Sequence, residues 1–267
     1  MDNVNAVLAA GVVRTTRDVQ AEHLPKDSID EYALFRSDRF AEAMTQQMLR
    51  CRTGRSLPRS DSKYDQLLYV LSGYGQIEVG GQRERLAPGI ASLIPAGTQW
   101  VITTSPGEDL VIANTSVPAP PGPLAESFYH EPGPWSLTIT RGAQEVQQAT
   151  SDREFEVLYD TASGSAGATQ FVGFIPPSGA PEHYHLYEEF CVILKGVGAL
   201  HTYGARHELK VGSAFHIHPG QLHSVENTGD QDLWLLGVFR PEGSAAAAFY
   251  PDGHPAPNNI DEDGQGR

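Results

Sequence analysis

Short apolar runs alternate with turn residues along most of this chain. In the first half, the runs at 67–71 and 91–94 each lead into a glycine or a proline–glycine turn. The second half repeats this rhythm with runs at 190–194 and 214–217. Short strands spaced about ten residues apart, with few long amphipathic helical patterns, are typical of β-sandwiches and barrels. The pattern therefore predicts an all-β fold.

The same pattern occurs twice, at a constant offset of 123 residues that sets Gln66 against Glu189. Each turn glycine must satisfy a backbone demand, so a run of matched glycines is a strong sign of an internal repeat. The matched pairs are Gly73 with Gly196, Gly81 with Gly204, Gly89 with Gly212, and Gly97 with Gly220. We interpret the chain as two copies of one β domain, over roughly 30–118 and 153–241.

The copies are joined by a proline-rich segment at 118–123, and proline cannot continue a strand ladder. The last residues are polar and rich in glycine, which is typical of disordered tails. We therefore predict an N-terminal domain over 1–119, a linker over 120–152, a C-terminal domain over 153–250 and a disordered tail over 251–267.

Four side chains in the second copy have the spacing of metal ligands. His183 and His185 lie two positions apart, so they project from the same face of an extended strand. Glu189 follows after a short turn, and His223 follows the proline–glycine turn at 219–220. Three imidazoles and one carboxylate suit Fe(II), Mn(II), Ni(II) or Zn(II), and they leave coordination positions for water or substrate.

The first copy is an internal control for this interpretation. The turn glycines needed by the fold are kept in both copies, whereas all four candidate ligands are replaced in the first. The replacements, in order, are Ser60, Ser62, Gln66 and Trp100. We therefore expect a metal site in the second copy and none at the equivalent place in the first.

The second copy contains two motifs that resemble those of the cupin superfamily. The first is His183, His185, Glu189 and Gly196, and the second is Gly212, Gly220, His223 and Asn227. The resemblance extends over both copies and implies a bicupin, that is, tandem double-stranded β-helix (jelly-roll) barrels. It also implies a degenerate N-terminal cupin without metal, and one metal held in the C-terminal barrel by the three histidines and Glu189.

This ligand set allows two kinds of chemistry. With Fe(II) or Mn(II), substrate and O2 could bind side by side, and Glu189 is the best candidate for the base. Our primary prediction is an Fe(II)- or Mn(II)-dependent dioxygenase that acts on a small hydroxylated or enolisable compound, similar to the quercetin-type cupins. With Zn(II) or Ni(II), the same site would favour an isomerase, polyketide cyclase or lyase that needs no O2. A non-enzymatic module that binds a metal or small ligand is a third reading.

His216 is a further candidate for catalysis. It stands where the first copy has Leu93, so it could line the pocket as an acid, a base or an extra ligand. The alternative is a histidine at the surface or in a structural hydrogen bond.

Charge indicates the class of partner, and the cysteines and the N-terminal segment indicate the compartment. The chain has 33 acidic and 19 basic residues, which disfavours nucleic acid and anionic membranes as partners. Two cysteines are too few for a disulfide framework, and the apolar run at 6–13 lacks the basic segment of a signal peptide. We expect a cytoplasmic protein with a small-molecule substrate. We expect the first copy to serve as packing partner of the second, and the duplication leaves open whether it lends residues to the second pocket or to a homodimer interface.

Overall fold

The structure, a computed structural model, describes residues 11–37, 42–119 and 135–257. Its elements are strands apart from the 3-10 turn Thr161–Ser163, which confirms the all-β prediction. Among these residues, no helix has the length and apolarity needed to cross a membrane. The described chain divides into two compact units. The N-terminal unit holds residues of 16–143 and 158–168, and the C-terminal unit holds 11–15, 144–157 and 169–257.

The N-terminal unit consists of a seven-stranded and a four-stranded antiparallel sheet. Its strands are β2 (Glu22–His23), β3 (Ile29–Arg36), β4 (Thr45–Cys51), β5 (Gly54–Arg55), β6 (Tyr64–Ser72), β7 (Gly75–Val79), β8 (Gln82–Leu86), β9 (Ile90–Ile94), β10 (Trp100–Thr104), β11 (Leu110–Pro118) and β12 (Thr138–Thr140). The larger sheet has the order β12-β9-β6-β11-β4-β3-β2, and the smaller has the order β5-β10-β7-β8.

The C-terminal unit consists of a seven-stranded and a three-stranded sheet. Its strands are β1 (Val13–Arg14), β13 (Val146–Gln148), β14 (Glu154–Tyr159, whose last two residues are counted with the N-terminal unit), β15 (Thr169–Ile175), β16 (Glu188–Lys195), β17 (Val197–Thr202), β18 (Ala205–Lys210), β19 (Ala214–Ile217), β20 (His223–Asn227) and β21 (Leu233–Arg240). The larger sheet has the order β1-β19-β16-β21-β15-β14-β13, and the smaller has the order β18-β17-β20.

The strand orders repeat in the same way as the sequence. Strands β9-β6-β11-β4-β3 of the N-terminal unit correspond to β19-β16-β21-β15-β14 of the C-terminal unit. Strand β10 starts at Trp100 and β20 starts at His223, which are the residues paired by the offset. The tandem jelly-roll prediction is confirmed, with one difference. Backbone pairing leaves two separate sheets in each unit instead of one closed barrel.

Each unit has its own core between its sheets. In the C-terminal unit, inward residues of the large sheet alternate with outward ones, as the period of a strand requires. The core there includes Phe155, Phe171, Ile193, Leu200, Phe215, Leu235 and Phe239. In the N-terminal unit it includes Leu68, Ile77, Leu86, Trp100 and Ile112. Several residues of the C-terminal core also line a cavity, and the candidate site lies there.

Parts of the predicted linker and tail fall within the described residues. The predicted linker, 120–152, contributes the short strands β12 and β13. Residues 251–257 form a turn that bridges back through Phe249 and Pro255. The rest of both predictions, at 120–134 and 258–267, lies outside the described residues.

Candidate metal centre

A backbone bridge brings the two histidine motifs together. His183 and His223 exchange two backbone hydrogen bonds, of 3.0 and 2.9 Å, as an isolated antiparallel pair. His185 follows two residues later, so the period of an extended segment turns it to the same side as His183. The bridge holds the stretch before β16 against the start of β20 and so brings the rings of the two motifs together.

The three imidazoles form a compact cluster. One ring nitrogen of each of His183, His185 and His223 lies within 4.8 Å of those of the other two. The ring centroids are 4.5 to 5.2 Å apart. His185 and His223 are buried, at 5% and 3% exposure. The sequence predicted that these three residues share one site, and the structure places them together.

Backbone carbonyls determine the tautomer of each ring. The Nδ1 atoms of His183, His185 and His223 lie 3.1, 2.8 and 2.9 Å from the carbonyl oxygens of Pro181, Ala247 and Gln221, respectively. A carbonyl oxygen only accepts, so each Nδ1 carries the proton and donates. Each Nε2 therefore keeps its lone pair. This arrangement is the usual outer support of histidine metal ligands.

Burial keeps the three rings neutral. It lowers the pKa of His183 to about 4 and that of His185 to about 3, and it takes the pKa of His223 well below its ordinary value. Mutual repulsion among the three rings adds to the lowering for His185 and His223. Neutral imidazole is the form that binds metals, so the apoprotein is ready for a cation without first losing protons at neutral pH.

Glu189 lines the same cavity, from the inward face of β16. It is 6% exposed, and burial raises the pKa of its carboxyl group to about 7, although a hydrogen bond with Cys191 works in the opposite direction. Its oxygens are not within the 4.8 Å cluster formed by the histidines. The structure thus puts all four predicted ligands on one cavity, with the carboxylate set back from the three nitrogens.

The cavity is partly open to solvent and has a volume of about 80 Å³. Its floor holds the histidines and Glu189, and most of its wall is apolar. The wall is lined by Phe155, Phe171, Ile175, Phe215, Val225 and Leu235. Apolar walls around a few convergent polar groups are the usual composition of a small-molecule site.

Tyr187 and Arg153 also line the cavity, and neither was predicted as a site residue. Tyr187 stacks between the ring of His185, at 4.6 Å, and that of Phe239, at 4.2 Å. Arg153 reaches the cavity from the hairpin before β14 and donates a hydrogen bond to the carbonyl oxygen of Val225. The position of Tyr187, two residues from both His185 and Glu189, was an available signal. Arg153 gave none, because it lies 30 residues before His183 in a polar hairpin.

His216 lies elsewhere. It pairs with Phe190 across the strands, whereas Glu189 pairs with Ile217, so His216 and Glu189 project from opposite faces of the large sheet. Its Nε2 is 2.7 Å from Oε1 of Glu188, and its ring lies 4.1 Å from that of His218. His216 therefore does not line this cavity, and its predicted acid–base role stays a prediction. With Glu188 and His218 it forms a second group of side chains whose ligand atoms all lie within 4.8 Å of one another.

The N-terminal unit has a different interior at the equivalent place. Trp100, which replaces His223, is 5% exposed and belongs to the core, with the guanidinium of Arg59 5.7 Å from its ring. Gln66, which replaces Glu189, accepts hydrogen bonds from Asn114 and Ser116. Among the described residues of this unit, no group of three or more histidine, cysteine or acidic side chains has metal-ligand spacing.

The ring of Phe171 packs directly against the backbone of Gly237, so a side chain at Gly237 tests the packing of the cavity wall. A Cβ on Gly237 would overlap the ring of Phe171 and would lie 3.0 Å from Oε1 of Glu189. We expect Gly237→Ala to lower the free energy of unfolding by about 1–3 kcal/mol, because the Phe171 ring must move. Urea unfolding measures this loss. Gly173→Ala is the matched control, since its Cβ would meet only ordinary contacts at 3.5 Å. Equal effects of both variants would contradict this account.

Residues 171–239 match the family model described as Cupin domain, and this stretch contains the cavity floor and all four candidate ligands. It is about a quarter of the chain. Over 77 residues, the chain is 38% identical to auxin-binding protein T85 of Nicotiana tabacum, covering 25% of this chain and 41% of that protein. Auxin-binding protein 1 of Arabidopsis thaliana is 36% identical over 75 residues, covering 25% and 38%. The chain thus spans about two fifths of the curated relatives it matches.

Solved structures match over most of the chain. A putative glyoxylate-induced protein from Pseudomonas aeruginosa aligns with a TM-score of 0.71 at 15% identity, covering 85% of this chain and 87% of that one. The Ylba protein from E. coli gives 0.70 at 14% identity, covering 85% and 89%. A variant of oxalate decarboxylase from Bacillus subtilis gives 0.65 at 13%, covering 88% and 78%. At such identities the likeness establishes the fold alone.

Proposed function

We propose that the C-terminal unit binds one divalent metal, Fe(II) or Mn(II) in preference to Zn(II) or Ni(II), and catalyses dioxygenation of a small hydroxylated or enolisable compound. The observation that carries this proposal is the set of three imidazoles whose Nδ1 atoms are all tied to backbone carbonyls. That arrangement presents three Nε2 lone pairs to one point, beside a buried carboxylate.

In this proposal, His183, His185, His223 and Glu189 hold the metal. When bound, an Fe(II) or Mn(II) ion would supply Lewis acidity and the redox activity that O2 requires. The chain's own residues do the rest. Glu189 accepts the proton of a substrate hydroxyl or enolisable carbon on a carboxylate oxygen, and the apolar wall excludes water from the reacting atoms. We keep the cytoplasmic location and the small-molecule substrate as parts of the same proposal.

The test combines metal content with oxygen consumption. For untagged protein purified anaerobically, mass spectrometry is expected to find about one iron or manganese per chain, as one cluster of this donor set predicts. Oxygen uptake with a panel of phenols and diketones is then expected. Glu189→Gln is expected to slow uptake by about 100-fold or more, since a positioned base contributes roughly 10²–10⁴-fold. Phe174→Leu, outside the cavity lining, is the control.

Other outcomes would contradict the oxygenase. Turnover of an enolisable substrate by a zinc- or nickel-loaded protein without O2 uptake would instead establish an isomerase, cyclase or lyase. A second candidate is a non-enzymatic ligand-binding module, and the specific observation that favours it is the likeness to proteins named for binding auxin. Tight binding of a small ligand by the metal-loaded protein, with no turnover of any panel member, would establish that candidate.

A further inference from the structure

Arg153 stands out in the cavity because it lacks a counter-charge. Among the described residues, no carboxylate forms an ion pair with its guanidinium, although it is partly buried and lines the cavity. One donor is used on the carbonyl oxygen of Val225. Its Nε is buried with no hydrogen-bond partner. A buried charge without a partner is costly, so this guanidinium calls for a partner that the described residues do not supply.

Arg59, another partly buried arginine, shows the usual solution. Arg59 donates to Asp27 at 2.5 Å and to Glu31 at 2.6 Å. The pKa of Arg59 is raised, because these two carboxylates outweigh the effect of burial. Burial lowers the pKa of Arg153 to about 10, and no carboxylate acts against it. The same chain thus neutralises one arginine and leaves the other exposed to the contents of the cavity.

A tight hairpin turn holds Arg153 at the cavity mouth. Ser151 and Asp152 both have positive φ, of 59° and 58°, as the central pair of a primed hairpin turn requires. The backbone amide of Ala149 donates to the carbonyl oxygen of Arg153 at 2.7 Å and closes the turn. Non-glycine residues at positive φ carry a cost that is often found at binding sites. The hairpin residues Ala149, Thr150 and Ser151 line the mouth beside Arg153.

We propose that Arg153 binds the carboxylate of the substrate, so that the cavity takes a small organic acid with an apolar body. The inference deepens the proposed function and rests on it, since it names the substrate class of the same site. A guanidinium with free donors matches a carboxylate in shape and charge. A divalent metal beside a single carboxylate, Glu189, also leaves the cavity positively charged. The apolar wall accommodates the rest of the molecule, and an enolisable acid satisfies both inferences.

The test compares acids with their neutral amides. Calorimetric titration of the metal-loaded protein uses acetate and acetamide, benzoate and benzamide, and phenylacetate and phenylacetamide. We expect at least one acid to bind more tightly than its amide. Arg153→Met is expected to weaken that acid by about 10- to 100-fold, because a hydrogen-bonded charge pair is lost, and to leave the amide unchanged. Arg153→Lys is expected to give an intermediate loss, since charge is kept and the planar fork is removed.

The control is Arg206→Met, because Arg206 is an exposed residue of β18 that pairs with Glu208 and Glu226. It is expected to bind every probe as the wild type does. Equal acid affinity in Arg153→Met and the wild type, or no acid that binds better than its amide, would overturn the inference. Metal content measured on the same samples distinguishes failure of the Arg153 inference from failure of the proposed function. If the wild type holds no metal, the proposed function fails, and titration of the metal-free protein still tests Arg153.

Discussion

Replacing His223 with alanine is expected to reduce metal content from about one ion per chain to a small fraction of that. The side chain is one of three clustered ligands, and it is buried. Changes to the outer partners of a ligand cost roughly 10- to 100-fold in affinity, so loss of the ligand itself is expected to cost at least about 100-fold. Mass spectrometry of dialysed protein, or competition with a chelator of known affinity, measures the change.

The duplicated position provides the control. Trp100 corresponds to His223, and its replacement by alanine is expected to leave metal content unchanged. That variant removes a core side chain of the N-terminal unit and is expected to cost about 3–5 kcal/mol of stability, so Trp100→Phe is the milder companion. Equal loss of metal in the His223 and Trp100 variants would exclude a single site in the C-terminal unit.

Replacing Arg59 with methionine is expected to lower the free energy of unfolding by about 3–5 kcal/mol at pH 7. Arg59 is the charged partner of Asp27, whose side chain has no exposed surface, and of Glu31. Without the guanidinium, the carboxylate of Asp27 would stay buried with only the backbone amides of Ile29 and Leu57 as donors. Urea unfolding at pH 7 measures the loss.

The stability loss of Arg59→Met is expected to depend on pH in a definite direction. Burial alone would raise the pKa of Asp27, but Arg59 and the two amides hold it below its ordinary 3.8. The charged form therefore stabilises the wild type above that value, and this contribution is lost as the pH falls through the folded-state pKa. The penalty of Arg59→Met is thus expected to shrink below about pH 4, where Asp27 takes up a proton.

A surface arginine controls for loss of charge as such. Arg83 pairs with Glu78 from β8 and has 70% of its side chain exposed. Arg83→Met is expected to change stability by less than about 1 kcal/mol, because exposed ion pairs contribute little. A loss of similar size in both variants, or one that does not depend on pH for Arg59→Met, would contradict the role assigned to the buried pair.

The prediction of the four candidate ligands did not need the structure, and the reason is local. Two histidines two residues apart share a face of any extended segment, and the repeat showed that the four residues are dispensable for the fold. The fold class followed in the same way, since turn glycines and short apolar runs act within a few residues of each other. The same reasoning could have identified Tyr187, because it lies two positions from both His185 and Glu189 and so faces the same side of an extended segment.

His216 shows where such reasoning ends. The sequence shows which residues of one strand share a face. Which face of the sheet they share with residues of a neighbouring strand depends on the register between the two strands. Glu189 is set against Ile217, so His216 turns to the other face of the sheet. A register shifted by one residue would have turned it into the cavity. No property of the segment 214–218 by itself distinguishes the two cases.

The sequence by itself thus determined the all-β class, the duplication and the set of candidate ligands, because each depends on spacing along the chain. Only the tertiary structure decided which backbone atoms hold the candidate ligands in place and which other side chains line the cavity. The carbonyl oxygens of Pro181, Gln221 and Ala247 fix the ring tautomers, and a backbone carbonyl carries no sequence signature. Arg153 came into the cavity through pairing of strands distant in sequence, and its lack of a counter-charge is a fact about neighbours in space.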